Sequence, residues 1–181
     1  MPKLAFVPAQ AEHAAIIAAL HTTSWQSAYR GLLPDRYLDK EAAAERLQHW
    51  QSRLVDGKDG PFEVLIAVLD DKPVGFVCLQ PEADPAFGVY LDNLHVMPSV
   101  QGVGLGKQLL AWAAQRAREG WPNKPLFLYV LEDNAEARAF YRRVGGIESA
   151  PFPDAMPGGV TLATRRVSWP DVPALVARLK R

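Results

Sequence analysis

A single cysteine, Cys78, excludes an intramolecular disulfide and suits a reducing compartment. No excess of either charge sign is present: Lys plus Arg and Asp plus Glu each total 20, so the formal net charge is zero. Bulk electrostatics therefore give no signal for a polyanionic partner, nucleic acid included. No apolar run approaches the roughly 20 residues of a membrane span, and the opening Met1-Pro-Lys-Leu-Ala-Phe-Val-Pro8 lacks the apolar core of a signal peptide. Internal repeats and low-complexity tracts are missing as well. These absences lead to the expectation of a cytoplasmic protein with no membrane partner, no nucleic-acid partner and no metal. What is present is a globular balance, 49% hydrophobic against 22% charged, in a chain of 181 residues. That suffices for one domain, residues 1–181, with a proper core.

Periodicity divides the chain into elements. Lys3–Pro8 reads as a short strand, and Ala11 to Leu20 as a short amphipathic helix with Ile16, Ile17 and Leu20 on one side. His21–Gly31 follows, with aromatics near helical spacing and a glycine stop, and Pro34 opens a second helix running to Val55. Phe62–Leu69 and Val74–Leu79 are strands joined by a turn at Asp70–Pro73. Pro81–Pro85 reads as a loop, Gly88–Val96 as a long strand, and Leu105 to Gly120 as a helix burying Leu109, Trp112 and Ala113. Leu126–Leu131 is nearly all apolar, as for a strand covered on both faces. Asp133 and Glu136 form a capping box for a helix that Gly145-Gly146 stops. Pro151–Gly159 reads as a loop, Val160–Trp169 as a strand and Asp171–Lys180 as a terminal helix. The order is that of a mixed α/β fold, an antiparallel meander followed by one parallel step at the glycine turn.

That turn, Gln101-Gly-Val-Gly-Leu-Gly-Lys107, is where chemistry enters. A P-loop would need glycine at 101 and Ser or Thr at 108, and the chain has glutamine at both. A dinucleotide fingerprint fails on its G-x-G-x-x-G spacing and on the meander upstream. Two readings remain: a tight turn needing positive φ twice, or bare peptide N–H groups at a helix N-terminus that receive a phosphate.

Leu94-His95-Val96, then Gln101-x-x-Gly104-x-Gly106-Lys107, then Asn134-x-x-Ala137-x-x-Phe140-Tyr141-x-x-x-Gly145 resemble the GNAT superfamily of N-acetyltransferases. The resemblance covers Phe76 to Ile147, and Ser24-Trp25-x-x-Ala28-Tyr29 through Pro34 resembles a subgroup of it. It implies a single GNAT-type domain whose mostly antiparallel sheet splays at the CoA site between flanking helices. It implies acetyl-CoA as donor, with the amides of Gly102, Val103, Gly104, Leu105, Gly106 and Lys107 around its pyrophosphate. The edge of Leu94, His95 and Val96 would pair with the pantetheine arm, and the Val96 amide would meet the thioester oxygen. Asn134 would bond the cofactor arm or an ordered water, Phe140 would flank it, and Tyr141 would be the acid that protonates the leaving thiolate. A homodimer is the assembly such enzymes frequently adopt.

Acyl transfer to an amine also needs a proton acceptor, because an alkylammonium is protonated at neutral pH. Two positions where relatives carry a base hold Tyr90 and Tyr129 here. Asp92 and His95, on opposite faces by strand alternation, Glu132 and a water chain all stay open for that role. Lys107, Arg142 and Arg143 are candidates for the CoA 3′-phosphate. Trp25 and Tyr29 could wall the acceptor pocket or simply pack the core. Cys78, in an apolar strand, reads as a buried small hydrophobe rather than an acyl carrier. The expected activity is transfer of acetyl from acetyl-CoA to a primary amine in a ternary complex. The competing expectations are a CoA-binding regulatory or assembly module, another acyl donor, or a hydroxyl acceptor.

Overall fold

A computed structural model describes all residues, 1–181. Its elements are β1 (Leu4–Pro8), α1 (Ala14–Ala28), α2 (Ala42–Leu54), β2 (Glu63–Leu69), β3 (Lys72–Asp84) and β4 (Gly88–Val96). Then come α3 (Leu105–Gly120), β5 (Leu126–Leu131), α4 (Ala135–Arg143), β6 (Ile147–Glu148), β7 (Phe152–Met156), β8 (Val160–Trp169) and α5 (Val172–Leu179). One mixed sheet runs β1-β2-β3-β4-β5-β8-β6, with β7 also paired to β8. Every pairing is antiparallel except β4 with β5, joined through α3.

That parallel pairing is short. Val89 pairs with Leu126 and Tyr90 with Phe127, and there it stops, although β4 runs on to Val96 and β5 to Leu131. The two strands part in the middle of the sheet. Their closed end is tightened at Gly88, where φ is +109° and an added Cβ would lie 2.3 Å from the Pro125 carbonyl oxygen. Only glycine permits that approach.

The sheet is covered on both faces. α3, α5 and Tyr141 and Val144 from the α4 region pack one face with Leu65, Val77, Leu79, Leu91, Leu109, Leu126, Leu128 and Trp169. α1 and α2 pack the other with Ile17, Trp50, Ile66, Phe76 and Cys78. A third cluster joins the α1–α2 connection (Leu33, Tyr37, Leu38) to the β7–β8 hairpin through Met156, Val160 and Leu162.

Several elements differ from the sequence expectation. α1 continues through His21–Ala28, since Trp25 and Tyr29 bury against the neighbouring connection and extend the helix past Leu20. A π-helical turn at Tyr37–Glu41 precedes α2. β3 runs through Pro81 to Asp84 rather than ending at Leu79; its pairing with β2 ends at Leu79, so the missing proline N–H is not needed there. The proline-rich 151–159 segment holds β7, an edge strand that tolerates Pro153 for the same reason. The cap of α4 is Asn134, whose side chain accepts from the Ala137 amide at 3.2 Å, not an Asp133–Glu136 box. In α3 the buried stripe is Leu105, Leu109, Leu110, Ala113, Ala114 and Ala117, with Trp112 only half-buried.

Asp92 and His95 are the largest revision. Cys78 pairs with Asn93 and Leu79 with Leu91, so Asp92 is the extra residue of a β-bulge. The bulge shifts the alternation by one residue. Leu91 and Leu94 consequently both pack on the α3 side, while Asp92 reaches Arg53 of α2 and His95 reaches Ser24 of α1. The two candidate bases share a face.

Candidate active site

The gap between β4 and β5 opens into a cavity of about 720 Å³. Its walls include Leu94, His95, Val96, Gln101, Gly102, Gly104, Leu105, Gly106, Lys107, Asn134, Phe140 and Tyr141. Thus the two distant sequence blocks meet on one surface. Val103 stands apart: its side chain is 71% exposed and does not line the cavity.

The backbone at the mouth is unusually bare. From Gly102 to Lys107, six successive amides have no acceptor within the protein, and the first bond of α3 is from the Gln108 N–H to the Gly104 carbonyl at 3.1 Å. A helix N-terminus leaves such donors unpaired, and here no side chain caps them. Gly102 and Gly104 have φ of +85° and +81°, so the turn itself calls for glycine at both. Gly106 differs. Its φ is ordinary, and an added Cβ would make only 4.0 Å contacts with Phe140 and Val96. Neither backbone nor packing requires glycine at 106, yet a side chain there would protrude among the free amides.

Further in, β4 presents its own unpaired edge. Met97 donates to the Val74 carbonyl at 2.8 Å, and the antiparallel register then assigns the main-chain groups of His95 and Asn93 to β3. The N–H groups of Leu94 and Val96 therefore face the gap. Gln101 Nε2 donates to the Val96 carbonyl at 3.2 Å, which secures the turn to the strand end.

Tyr141 is buried against Phe140 and Trp169. Burial, and then the neighbouring Tyr29, push its phenol above the ordinary range; burial takes Tyr29 to about 12. Both stay protonated at neutral pH. Because the Asn134 side-chain oxygen is spent on capping α4, its amide NH2 is the part left for the cavity.

A second cavity of about 210 Å³ adjoins the first, and Tyr29, Asp92, His95, Tyr129 and Val130 line both. His95 Nδ1 lies 2.8 Å from Ser24 Oγ, and burial, assisted by Arg46 and opposed by Asp92, lowers the imidazole to about 4. Asp92 Oδ2 accepts from Arg53 Nη1 at 2.6 Å and from Asn93 Nδ2 at 2.8 Å. Trp25 and Tyr29 line this chamber while also packing the third cluster.

Other sequence candidates fall elsewhere. Glu132 lines neither cavity: Arg165 grips its carboxylate and Arg138 lies 3.6 Å away, and the bond from Arg165 lowers its proton affinity. It is committed to an ion network with Glu148 and is withdrawn as a base. Cys78 is fully buried, its thiol pushed up by burial, and lines neither cavity. Arg143 and Lys107 line the first cavity and Arg142 does not. The Pro81–Phe87 segment contributes to neither cavity, whereas Asp154 and Met156 of the 151–159 segment line the second. Sequence reasoning missed Arg178 and Arg181, which reach the first cavity from α5 and the residues after it; Arg178 also lies over Gly145, where an added Cβ would meet its guanidinium at 3.1 Å. The basic last turn of α5 was a signal of charge but not of place. His21, Arg46 and Arg53 were missed too, because only tertiary packing brings them to β4.

A split β4–β5 pair, uncapped amides at the head of α3 and a tyrosine across the gap define an acyl-CoA-dependent transferase fold. The family model described as Acetyltransferase (GNAT) family matches residues 20–146, and the chain belongs to that family. A probable N-acetyltransferase of Mycobacterium tuberculosis is 28% identical over 127 residues, 70% of each chain. An Escherichia coli peptidyl-lysine N-acetyltransferase, YjaB, is 36% identical over 75 residues, 41% of this chain and 42% of YjaB. Among solved structures, the PaiA N-acetyltransferase of Thermoplasma acidophilum in complex with coenzyme A superposes with a TM-score of 0.69 at 17% identity, covering 92% of this chain and 99% of that one. The chain is therefore an acyltransferase of the GNAT type. No helix in it is long and apolar enough to cross a membrane.

Proposed function

We propose that this enzyme moves an acetyl group from acetyl-CoA to the primary amine of a small molecule, amino acid or peptide, directly, within a ternary complex. The observation that carries the reading is the run of six unpaired amides from Gly102 to Lys107, at the mouth of a cavity that Val96 also lines, its N–H left free by the strand register. A diphosphate suits the first feature, since free donors and the helix dipole both favour an anion. An extended amide-bearing arm suits the second by adding a strand segment in the gap. Gly106 fits too, as its missing side chain leaves the amides approachable.

Each residue then has a task. The Val96 N–H stabilises charge that builds on the carbonyl oxygen as the amine lone pair bonds to the acyl carbon. As the carbon–sulfur bond breaks, sulfur takes the electron pair and Tyr141 supplies its proton. The second cavity holds the acceptor, placing its nitrogen at the junction where Asp92 and neutral His95 are within reach of the proton it sheds, directly or through water. Direct transfer agrees with Cys78 lying outside both cavities, which leaves no thiol to carry the acyl group between two half-reactions.

The decisive comparison is Gly106→Val against the parent by calorimetry with acetyl-CoA. Affinity should fall at least about tenfold with little change in stability, as expected for steric loss of several charge-assisted hydrogen bonds. Unchanged affinity would remove the reading.

A further inference from the structure

We infer that the acceptor carries a carboxylate beside its amine, and that the second cavity selects a free α-amino acid; this rests on the transferase reading above. The inference starts from buried donors that the fold itself leaves unused. His21 is 2% exposed, and its Nδ1 accepts from Trp50 Nε1 at 3.0 Å. Indole can only donate, so the ring proton of the neutral imidazole is on Nε2. Burial, followed by His95 and Arg46, holds that ring well below its usual value and keeps it neutral. Nε2 is buried and has no partner in the protein. His21 lines the chamber and Trp50 does not.

Arg46 lines the same chamber. Its guanidinium lies 4.6 Å over the Trp25 ring, its side chain is 12% exposed, and its Nε is buried without a partner. Its one carboxylate contact, Glu45 at 3.0 Å, is on the 45% exposed neighbouring side chain. A buried guanidinium and a buried imidazole N–H each cost free energy if left unpaired. A carboxylate in the chamber would give the guanidinium its charge complement and place an acceptor on the same side as the His21 ring.

The rest of the chamber fits the other groups of an amino acid. Asp92 accepts from Arg53 and Asn93 at Oδ2 and has the Tyr90 hydroxyl beside it, and its carboxylate in the chamber wall suits an ammonium. Asp154 adds negative charge to the wall, and Trp25, Tyr29 and Met156 offer apolar surface to a side chain. At about 210 Å³ the space suits one amino acid rather than a long polyamine, which would also find Arg46 repulsive.

The test uses purified full-length enzyme, saturating acetyl-CoA and thiol release, with each standard amino acid set against its own amide and its decarboxylated amine, plus an Nα-blocked lysine peptide. For the preferred side chain the amino acid should exceed both analogues in kcat/KM by about tenfold or more, because a site built for a charged group penalises its loss. Arg46→Gln should raise KM for the amino acid with kcat and acetyl-CoA affinity held, bringing the three acceptors close together. Arg46→Lys should restore part of the preference, and His21→Gln should erode it independently. Equal or better use of the amide, the bare amine or the peptide by the parent enzyme overturns the carboxylate site while leaving the transferase intact. Acetyl-CoA binding without turnover on any amine overturns the transferase reading and this inference with it.

Discussion

Arg53 Nη1 of α2 donates to Asp92 Oδ2 of β4 across 2.6 Å, tying a helix on one face of the sheet to the bulged residue at the edge of the gap. Arg53 is 4% exposed, Asp92 19%. Removing one member of so buried a pair leaves the other charge without compensation. Arg53→Met should cost about 3 kcal/mol in chemical denaturation, and adding Asp92→Asn should recover most of it. Additive losses in this double-mutant cycle would show that the two do not act as a pair.

Tyr141 tests the acid step. Its hydroxyl is a small part of a buried ring packed on Trp169, so Tyr141→Phe keeps the apolar contacts. We expect kcat to fall on the order of a hundredfold or more, with acetyl-CoA affinity unchanged. An unaltered kcat would return Tyr141 to a packing role.

Buried His21 and half-buried His49 and His95 make stability depend on pH in a defined direction. His95 and His49 are lowered from 6.5 to about 4, chiefly by burial, and His21 shifts the same way. Their folded values lie below the unfolded one, so the unfolded chain binds the extra protons as pH falls through that window. Stability should be flat for these groups above about pH 7 and decline between about pH 6.5 and 4. Urea midpoints should fall with more than one proton taken up on unfolding near pH 5; a flat profile there would contradict the assignment.

Glycine positions separate shape from function. Gly88→Ala forces a Cβ to 2.3 Å from a backbone oxygen and should cost several kcal/mol, on the order of other core overpacking and strain, or prevent folding. Gly106→Ala meets nothing closer than 4.0 Å and replaces a helical glycine, so stability should hold or rise by about 0.5–1 kcal/mol. Only the second should reach its main effect through acetyl-CoA affinity, measured by calorimetry beside thermal unfolding.

The readable parts of this sequence were those governed by local rules. Apolar runs bounded by turn or proline residues marked β2 and β4, the apolar Leu126–Leu131 marked the central β5, and the glycine turn marked the head of α3. Prolines misled at Pro81 and Pro153 because their effect depends on whether a neighbouring strand requires the N–H, which is a tertiary fact. The bulge at Asp92 had no composition signal, since it appears only when β3 and β4 are set in register, and it reversed the expected relation of Asp92 to His95. Arg46, Arg53 and His21 read as ordinary helix residues. Their meaning comes from β4 lying beneath α1 and α2.

The extra residue at Asp92 also fixes what evolution can do to this strand. Deleting Asp92 would restore a regular pleat yet leave the faces as they are: Leu91 and Leu94, then two apart, would both still meet the α3 side, and His95 would stay on the α1 side. The lost codon would instead remove the carboxylate that Arg53 holds and the local kink and twist that a bulge puts into a strand. A deletion anywhere beyond the bulge has no such escape, since one residue lost from a regular pleat turns every later side chain to the opposite face.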